Sequence, residues 1–216
     1  MSIVKCNKQI IKELDKMFNL FSGAHLYFYV WKYLQKEEYN KHFKYNNIFW
    51  SAVLNALHFS WLSSLSKLYE KSNYSKNNKI ISVFSLVESQ LDKTRKSIVE
   101  NYLLKHSNTI KNLKIRRDNE FAHNNKEHLL NPKNIESKKP IKYKDIEKLI
   151  DDTPDILSNL HPDPNNRYSY FGFKKNCEDG VIYFMRQLDF FFNEKEKHKE
   201  KFIKGEVDDI TFPPAN

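Results

Sequence analysis

The chain has 216 residues, a formal net charge of +9, only 4 glycines and 7 prolines, and a heavy aromatic load of Phe 16, Tyr 12 and Trp 3. That length supports one domain with a real core rather than a multidomain machine or a solenoid. The shortage of turn formers excludes a β-sandwich or barrel, and no apolar run reaches the roughly 18 residues of a membrane span. The expectation is an all-α chain, with a single domain over 1–203 and an irregular tail over 204–216. The opening segment alternates charged and apolar residues and lacks a secretory core, while Cys6 and Cys177 have neither metal-ligand spacing nor a framework count. A cytoplasmic protein with two packing thiols fits these features.

Taken in order, apolar residues at Ile10, Ile11, Leu14, Met17, Phe18 and Phe21, then Leu26, Phe28, Val30, Trp31 and Leu34, predict a first helix from Val4 to about Tyr39, broken or bent near Gly23. A second, from about Tyr45 to Glu70, carries a wide stripe including Phe49, Leu57, Trp61 and Leu65 and is predicted to be the central, most buried helix. Shorter helices follow over Ile80–Val87 and Asp92–Leu104. Ser107 or Asn108 is placed to cap a fifth helix bearing Ile110, Leu113, Ile115 and Phe121, which ends near Asn124 and Asn125. Asn131–Pro140 reads as a basic loop, Tyr143–Leu160 as a weaker helix interrupted at Pro154, and Lys174–Lys195 as the last helix.

The charge is concentrated. Between Lys105 and Lys144 there are eleven basic residues against four acidic ones, so +7 of the net +9 sits there. A block of that kind attracts polyphosphates by counterion release, and it equally describes a solvated lysine-rich surface. Within it lies Lys114-Ile115-Arg116-Arg117-Asp118-Asn119-Glu120-Phe121-Ala122-His123-Asn124, which holds two of the chain's five arginines. A guanidinium is a permanently charged fork matched to phosphate oxygens, and an imidazole exchanges protons near neutral pH. Together they suffice for metal-free phosphodiester transfer, with the histidine taking the proton of a ribose 2′-hydroxyl and the arginine stabilising charge on phosphate. That chemistry needs RNA. On a straight helix, six residues at about 100° each place His123 roughly 240° from Arg117. Arg117 falls in phase with Ile110, Leu113 and Phe121, along an apolar seam where an unpaired charge is costly. A seam between two chains, or a bend near Ala122, resolves the conflict.

Arg117-Asp118, four residues, then His123, late in a helical chain, resembles the signature of the HEPN superfamily, and the wording Arg117 to Asn124 is most similar to its abortive-infection U-type branch. The resemblance implies a compact helical bundle that dimerises, a metal-independent ribonuclease centre in the dimer cleft, and a role in toxin–antitoxin or phage-defence systems, with a cognate antitoxin as a further partner. It makes Arg117 and His123 catalytic and Asp118 the polar residue that orients them. Arg116, Lys114, Lys111, Asn124 and Lys126 are then the candidate RNA contacts, with no cofactor, no metal and no membrane involved. Asn125 stands where one subset of the superfamily has a modifiable tyrosine, so that mode of regulation is not implied. Two alternatives stay open: an RNA- or nucleotide-binding module without chemistry, and an interaction protein whose Arg117 pairs with a carboxylate such as Asp118 or Glu120 of its partner.

Other groups read as structural. His25 and His58 lie among aromatics and are expected to pack, as are Tyr168, Tyr170, Phe171 and Phe173 against the last helix. His106 and His128 flank the motif helix and are expected at caps or on the surface. His161-Pro-Asp-Pro is a loop without a second zinc-spaced ligand. Asp151, Asp152 and Asp155 form an acidic cluster that either complements the basic motif region or holds Mg²⁺. Neither a P-loop nor a Rossmann glycine pattern is present.

Overall fold

A computed structural model describes residues 3–71, 81–89, 92–118, 142–168 and 172–205, with side chains from Lys8 onward. Among these residues there are eight α-helices and no strand: α1 (Ile3–Leu34), α2 (Asn40–Phe43), α3 (Asn47–Leu68), α4 (Val83–Ser89), α5 (Lys93–Lys105), α6 (Ser107–Arg117), α7 (Tyr143–Leu160) and α8 (Phe173–Ile203). The all-α expectation is met for them, and none of these helices is long and apolar enough to cross a membrane.

The core is organised around α1. Its buried residues Leu14, Met17, Phe21, Ala24, Phe28 and Trp31 alternate spacings of three and four, the heptad-like period that keeps one seam of a helix facing one partner. That partner is α3, which gives α1 its most extensive contact. Phe28 meets Trp61 at 5.5 Å and Trp31 meets His58 at 5.3 Å between ring centroids, so the two helices run antiparallel. The break expected at Gly23 does not occur, because a lone glycine costs a helix only about 1 kcal/mol and burial of Phe21, Ala24 and Phe28 on either side outweighs that. The first helix stops instead at Leu34, and a 3₁₀ turn (Glu37–Tyr39) and the short α2 lead into α3. α3 is also less uniformly buried than its composition implies. Trp61, Leu62, Leu65 and Leu68 are fully enclosed, whereas Ile48 is 80% and Phe49 54% exposed.

α7 is the second correction. Pro154 lies inside a continuous helix, with Ile146, Leu149, Ile150, Ile156 and Leu157 fully buried. Packing on α5 and α1 overrides the proline, and Thr153 before it turns its hydroxyl to the Leu149 carbonyl at 2.6 Å. Arg95 donates to the Ser158 carbonyl at 2.7 Å and Lys105 pairs with Asp152, which sets α5 and α7 antiparallel. Asp92 caps α5 by accepting from the Thr94 and Arg95 amides. α8 lies along α1, extends eight residues past the predicted end, and is exposed from Lys195 onward. Cys177 is buried as expected, and Tyr168 packs on Phe18 at 4.5 Å. Of the predicted tail, residues 206–216 lie outside the described residues.

His25 is a packing histidine, buried against Phe21, Tyr29 and Phe173. Burial, and to a lesser degree the Lys174 ammonium, push its pKa down to about 4. Between that value and the ordinary 6.5 the unfolded chain holds the proton and the folded chain does not, so stability is complete above pH 6.5 and declines as pH falls toward 4. The full loss is roughly 3 kcal/mol. Urea unfolding at pH 7 and 4.5 is expected to show the decline in the wild type and a clearly smaller one in His25→Phe; equal declines would remove His25 as the cause.

Candidate active site at the end of the motif helix

α6 begins where α5 ends, with His106 as the one residue between them. His106, not Ser107 or Asn108, occupies the cap position, and it makes no side-chain cap bond. Its ring is 4% exposed and its Nε2 lies 2.6 Å from Asp152 Oδ2, which Lys105 Nζ also reaches at 2.6 Å. Burial raises the Asp152 pKa, but the Lys105 and His106 hydrogen bonds outweigh it and hold the carboxyl below its usual range. Of the acidic cluster, Asp152 meets the segment leading into the motif, whereas Asp151 accepts from the Tyr29 hydroxyl at 3.1 Å. Among the described residues, no group of three or more His, Cys, Asp or Glu side chains is arranged to hold a metal ion. Asp152→Asn removes the carboxylate on which the Lys105 ammonium and the buried His106 ring converge, and is expected to destabilise the fold by about 1–3 kcal/mol. Chemical denaturation at pH 7 measures this, and an unchanged midpoint would contradict the role given to Asp152.

From His106, α6 runs parallel to the last turns of α3. Ser66 Oγ donates to the Leu113 carbonyl at 3.3 Å, and one helical turn further along both helices Arg117 reaches Glu70. Ile110, Leu113 and Arg116 form the inner face of α6, and Lys111 and Lys114 are exposed on the outer side. This corrects the expected phase: the position on the seam is Arg116, because the buried series advances by three at each step. Arg116, expected to contact RNA, is only 8% exposed. Lys111 and Lys114 are on the surface. His123, Asn124, Lys126 and also His128 lie outside the described residues.

Arg117 is held by two carboxylates of its own chain. Nε and Nη2 donate to Asp118 Oδ1 at 2.9 and 2.7 Å, and Nη1 and Nη2 donate to Glu70 Oε2 and Oε1 at 3.2 and 3.3 Å. Burial works against the guanidinium's charge, but the bonds to Glu70 and Asp118 overcome it and raise the pKa above its ordinary value. Among the described residues, four of the five guanidinium hydrogens find acceptors, all of them on Glu70 and Asp118. The Glu70 bonds are the longer pair. Asp118, expected to orient the arginine, is hydrogen-bonded to it, and Glu70 of the same chain supplies a second carboxylate. Sequence reasoning missed Glu70. A signal was there, since Glu70 is the sole acidic residue between Glu38 and Glu88 and follows the most apolar helix.

An all-helical bundle that ends a basic helix in an arginine clamped by two carboxylates, with a histidine six residues on, is the class of protein these features define. The family model described as HEPN-type AbiU2 matches residues 8–163, and the chain belongs to that family. The match takes in α2 to α7 and nearly all of α1, and it stops before α8. No curated protein and no solved structure matches the chain.

Proposed function

We propose that this chain is a metal-independent endoribonuclease of an abortive-infection or toxin–antitoxin system, working in the cytoplasm as a homodimer. His123 takes the proton from a ribose 2′-hydroxyl, whose oxygen attacks the adjacent phosphorus. The 5′-oxygen leaves, and a 2′,3′-cyclic phosphate remains. Arg117 stabilises the charge that develops on the phosphoryl oxygens, and Asp118 fixes the plane of its guanidinium. Lys111 and Lys114 on the exposed side of α6 attract the RNA backbone, with Asn124 and Lys126 as further contacts.

The observation that carries this reading is the register of α6 against α3, which sets Arg117 beside Glu70 and Asp118 immediately before the segment bearing His123. A homodimer is supported by an exposed stripe on the first half of α3, where Ile48, Ala52, Ala56 and Phe59 recur at helical spacing. A second reading, binding without cleavage, is favoured by the same clamp, since Glu70 and Asp118 already neutralise Arg117.

One experiment separates the two. Wild type and His123→Ala are incubated with total cellular RNA in EDTA, and the fragment ends are mapped and tested for cyclic phosphate. Cleavage by the wild type that disappears in the variant is the expected result. Equal cleavage by both overturns the assignment of His123, and salt-sensitive binding without cleavage selects the second reading.

A further inference from the structure

We propose that Glu70 is an internal substitute for RNA phosphate, which occupies Arg117 in the free protein and has to be displaced before a phosphodiester binds there. The inference rests on the reading of Arg117 as the phosphate-binding group of a ribonuclease. Glu70 stands two residues past the last residue of α3, beyond the Tyr69 cap, where its own N–H donates to the Lys67 carbonyl at 3.3 Å. Its two oxygens accept from Nη1 and Nη2 of Arg117 at 3.2 and 3.3 Å. That side-by-side arrangement is the one in which a guanidinium fork takes two phosphate oxygens, so carboxylate and phosphate compete for the same pair of donors.

Charge makes the competition matter. One guanidinium between two carboxylates leaves the clamp with a net negative charge. The group that Arg117 is to stabilise is itself an anion, and a like charge at contact distance from it is repulsive. The pair is also within reach of a ligand. The Arg117 and Glu70 side chains are 16% and 24% exposed, open enough for a phosphate to enter and enclosed enough that solvent screens their charges incompletely. Lys111 and Lys114 on the exposed side of α6 then draw RNA toward a clamp that is closed to it.

Of the two carboxylates, Glu70 is the one placed to leave. Asp118 is the neighbour of Arg117 in the chain, occupies the C-cap of α6, and accepts from Nε and Nη2 at 2.9 and 2.7 Å. Those bonds fix the plane of the guanidinium and survive the loss of Glu70. Glu70 comes from a segment 47 residues upstream, holds by the longer bonds, and lies outside the regular turns of α3. Rotation about its own side-chain bonds carries the carboxylate toward solvent without moving α3, α6 or Arg117. The apparent affinity for RNA is then the intrinsic one reduced by the fraction of molecules in which Glu70 has let go.

Steady-state cleavage of a single-stranded oligoribonucleotide by the full chain, as wild type, Glu70→Gln and Glu100→Gln, tests the restraint. Glu70→Gln keeps the shape and removes the charge, and is expected to lower KM about fivefold or more without a fall in kcat. Glu100→Gln removes the same charge from the exposed side of α5 and should leave KM where it was. A fall in kcat with unchanged KM would make Glu70 a positioning residue and overturn the proposal. Equal falls in KM in the two variants, the mark of a general field effect, overturn it as well. A second readout needs no RNA. Modification of Arg117 by phenylglyoxal, followed by peptide mass mapping, is expected to run several-fold faster in Glu70→Gln than in wild type, and equal rates overturn the proposal. A wild type inert toward RNA removes the nuclease and the restraint together, whereas an active wild type whose KM ignores Glu70→Gln removes the restraint alone.

Discussion

Arg117→Lys is expected to lower single-turnover RNA cleavage by about 10²–10³-fold, the usual cost of removing one preorganised donor to a developing oxyanion, while the helical circular-dichroism spectrum stays unchanged. The reasoning rests on shape. Lysine keeps the positive charge between Glu70 and Asp118, so the two carboxylates are not left facing each other without a cation. It cannot reproduce the fork in which Nε and Nη2 grip Asp118 while Nη1 and Nη2 span Glu70. The ammonium has no fixed plane, and the donor aimed at phosphate loses its orientation. Arg117→Ala should be as inactive and in addition less stable, because Glu70 and Asp118 lose their common partner. A lysine variant that cleaves at the wild-type rate would show that the charge alone suffices, and the clamp would then have no part in catalysis.

Trp61→Ala is expected to cost about 3–5 kcal/mol of stability, which for a domain of this size lowers the melting temperature by roughly 10 °C or more. Trp61 has no exposed surface and touches Phe28, Trp31 and His58, so it joins the two helices on which the rest of the bundle is built. Its indole nitrogen is buried and makes no hydrogen bond among the described residues. Trp61→Phe should therefore be far milder, since it keeps an aromatic in the seam and removes an unsatisfied donor, which offsets part of the lost volume. Thermal melts of both variants test the pair of expectations. Similar losses in the two would mean that the indole nitrogen carries a favourable interaction.

The periodicity of α1 and α3 made the bundle readable from sequence, because both helices bury long side chains at spacings of three and four. Breakers misled where tertiary packing was strong. Gly23 and Pro154 both sit inside helices whose inward-facing residues nearby, Phe21, Ala24 and Phe28 in one and Ile150, Thr153, Ile156 and Leu157 in the other, are fully buried, and no local preference of about 1–3 kcal/mol competes with that. Arg117, Asp118 and His123 stood out in the sequence because arginine is scarce and the spacing is distinctive. Glu70 did not, since it lies 47 residues upstream and only the register of α6 on α3 brings it to Arg117. The charge that the sequence placed on a seam at Arg117 is met within the chain by Glu70 and Asp118.

The single residue between α5 and α6 makes the motif helix a lever. Its fulcrum is His106, fastened to Asp152 of α7, and Arg117 rides at the far tip of the 11-residue arm. An arm of that length is about 16 Å, so a tilt of roughly 10° at the fulcrum swings the tip by about 3 Å. A displacement of even about 1 Å in a reacting group is worth on the order of a hundredfold in rate. The seating of α7 on α5, through Arg95 and Ser158 at one end and Lys105 and Asp152 at the other, thereby sets the aim of the guanidinium without touching it. Residues with no chemistry of their own become the calibration of the site.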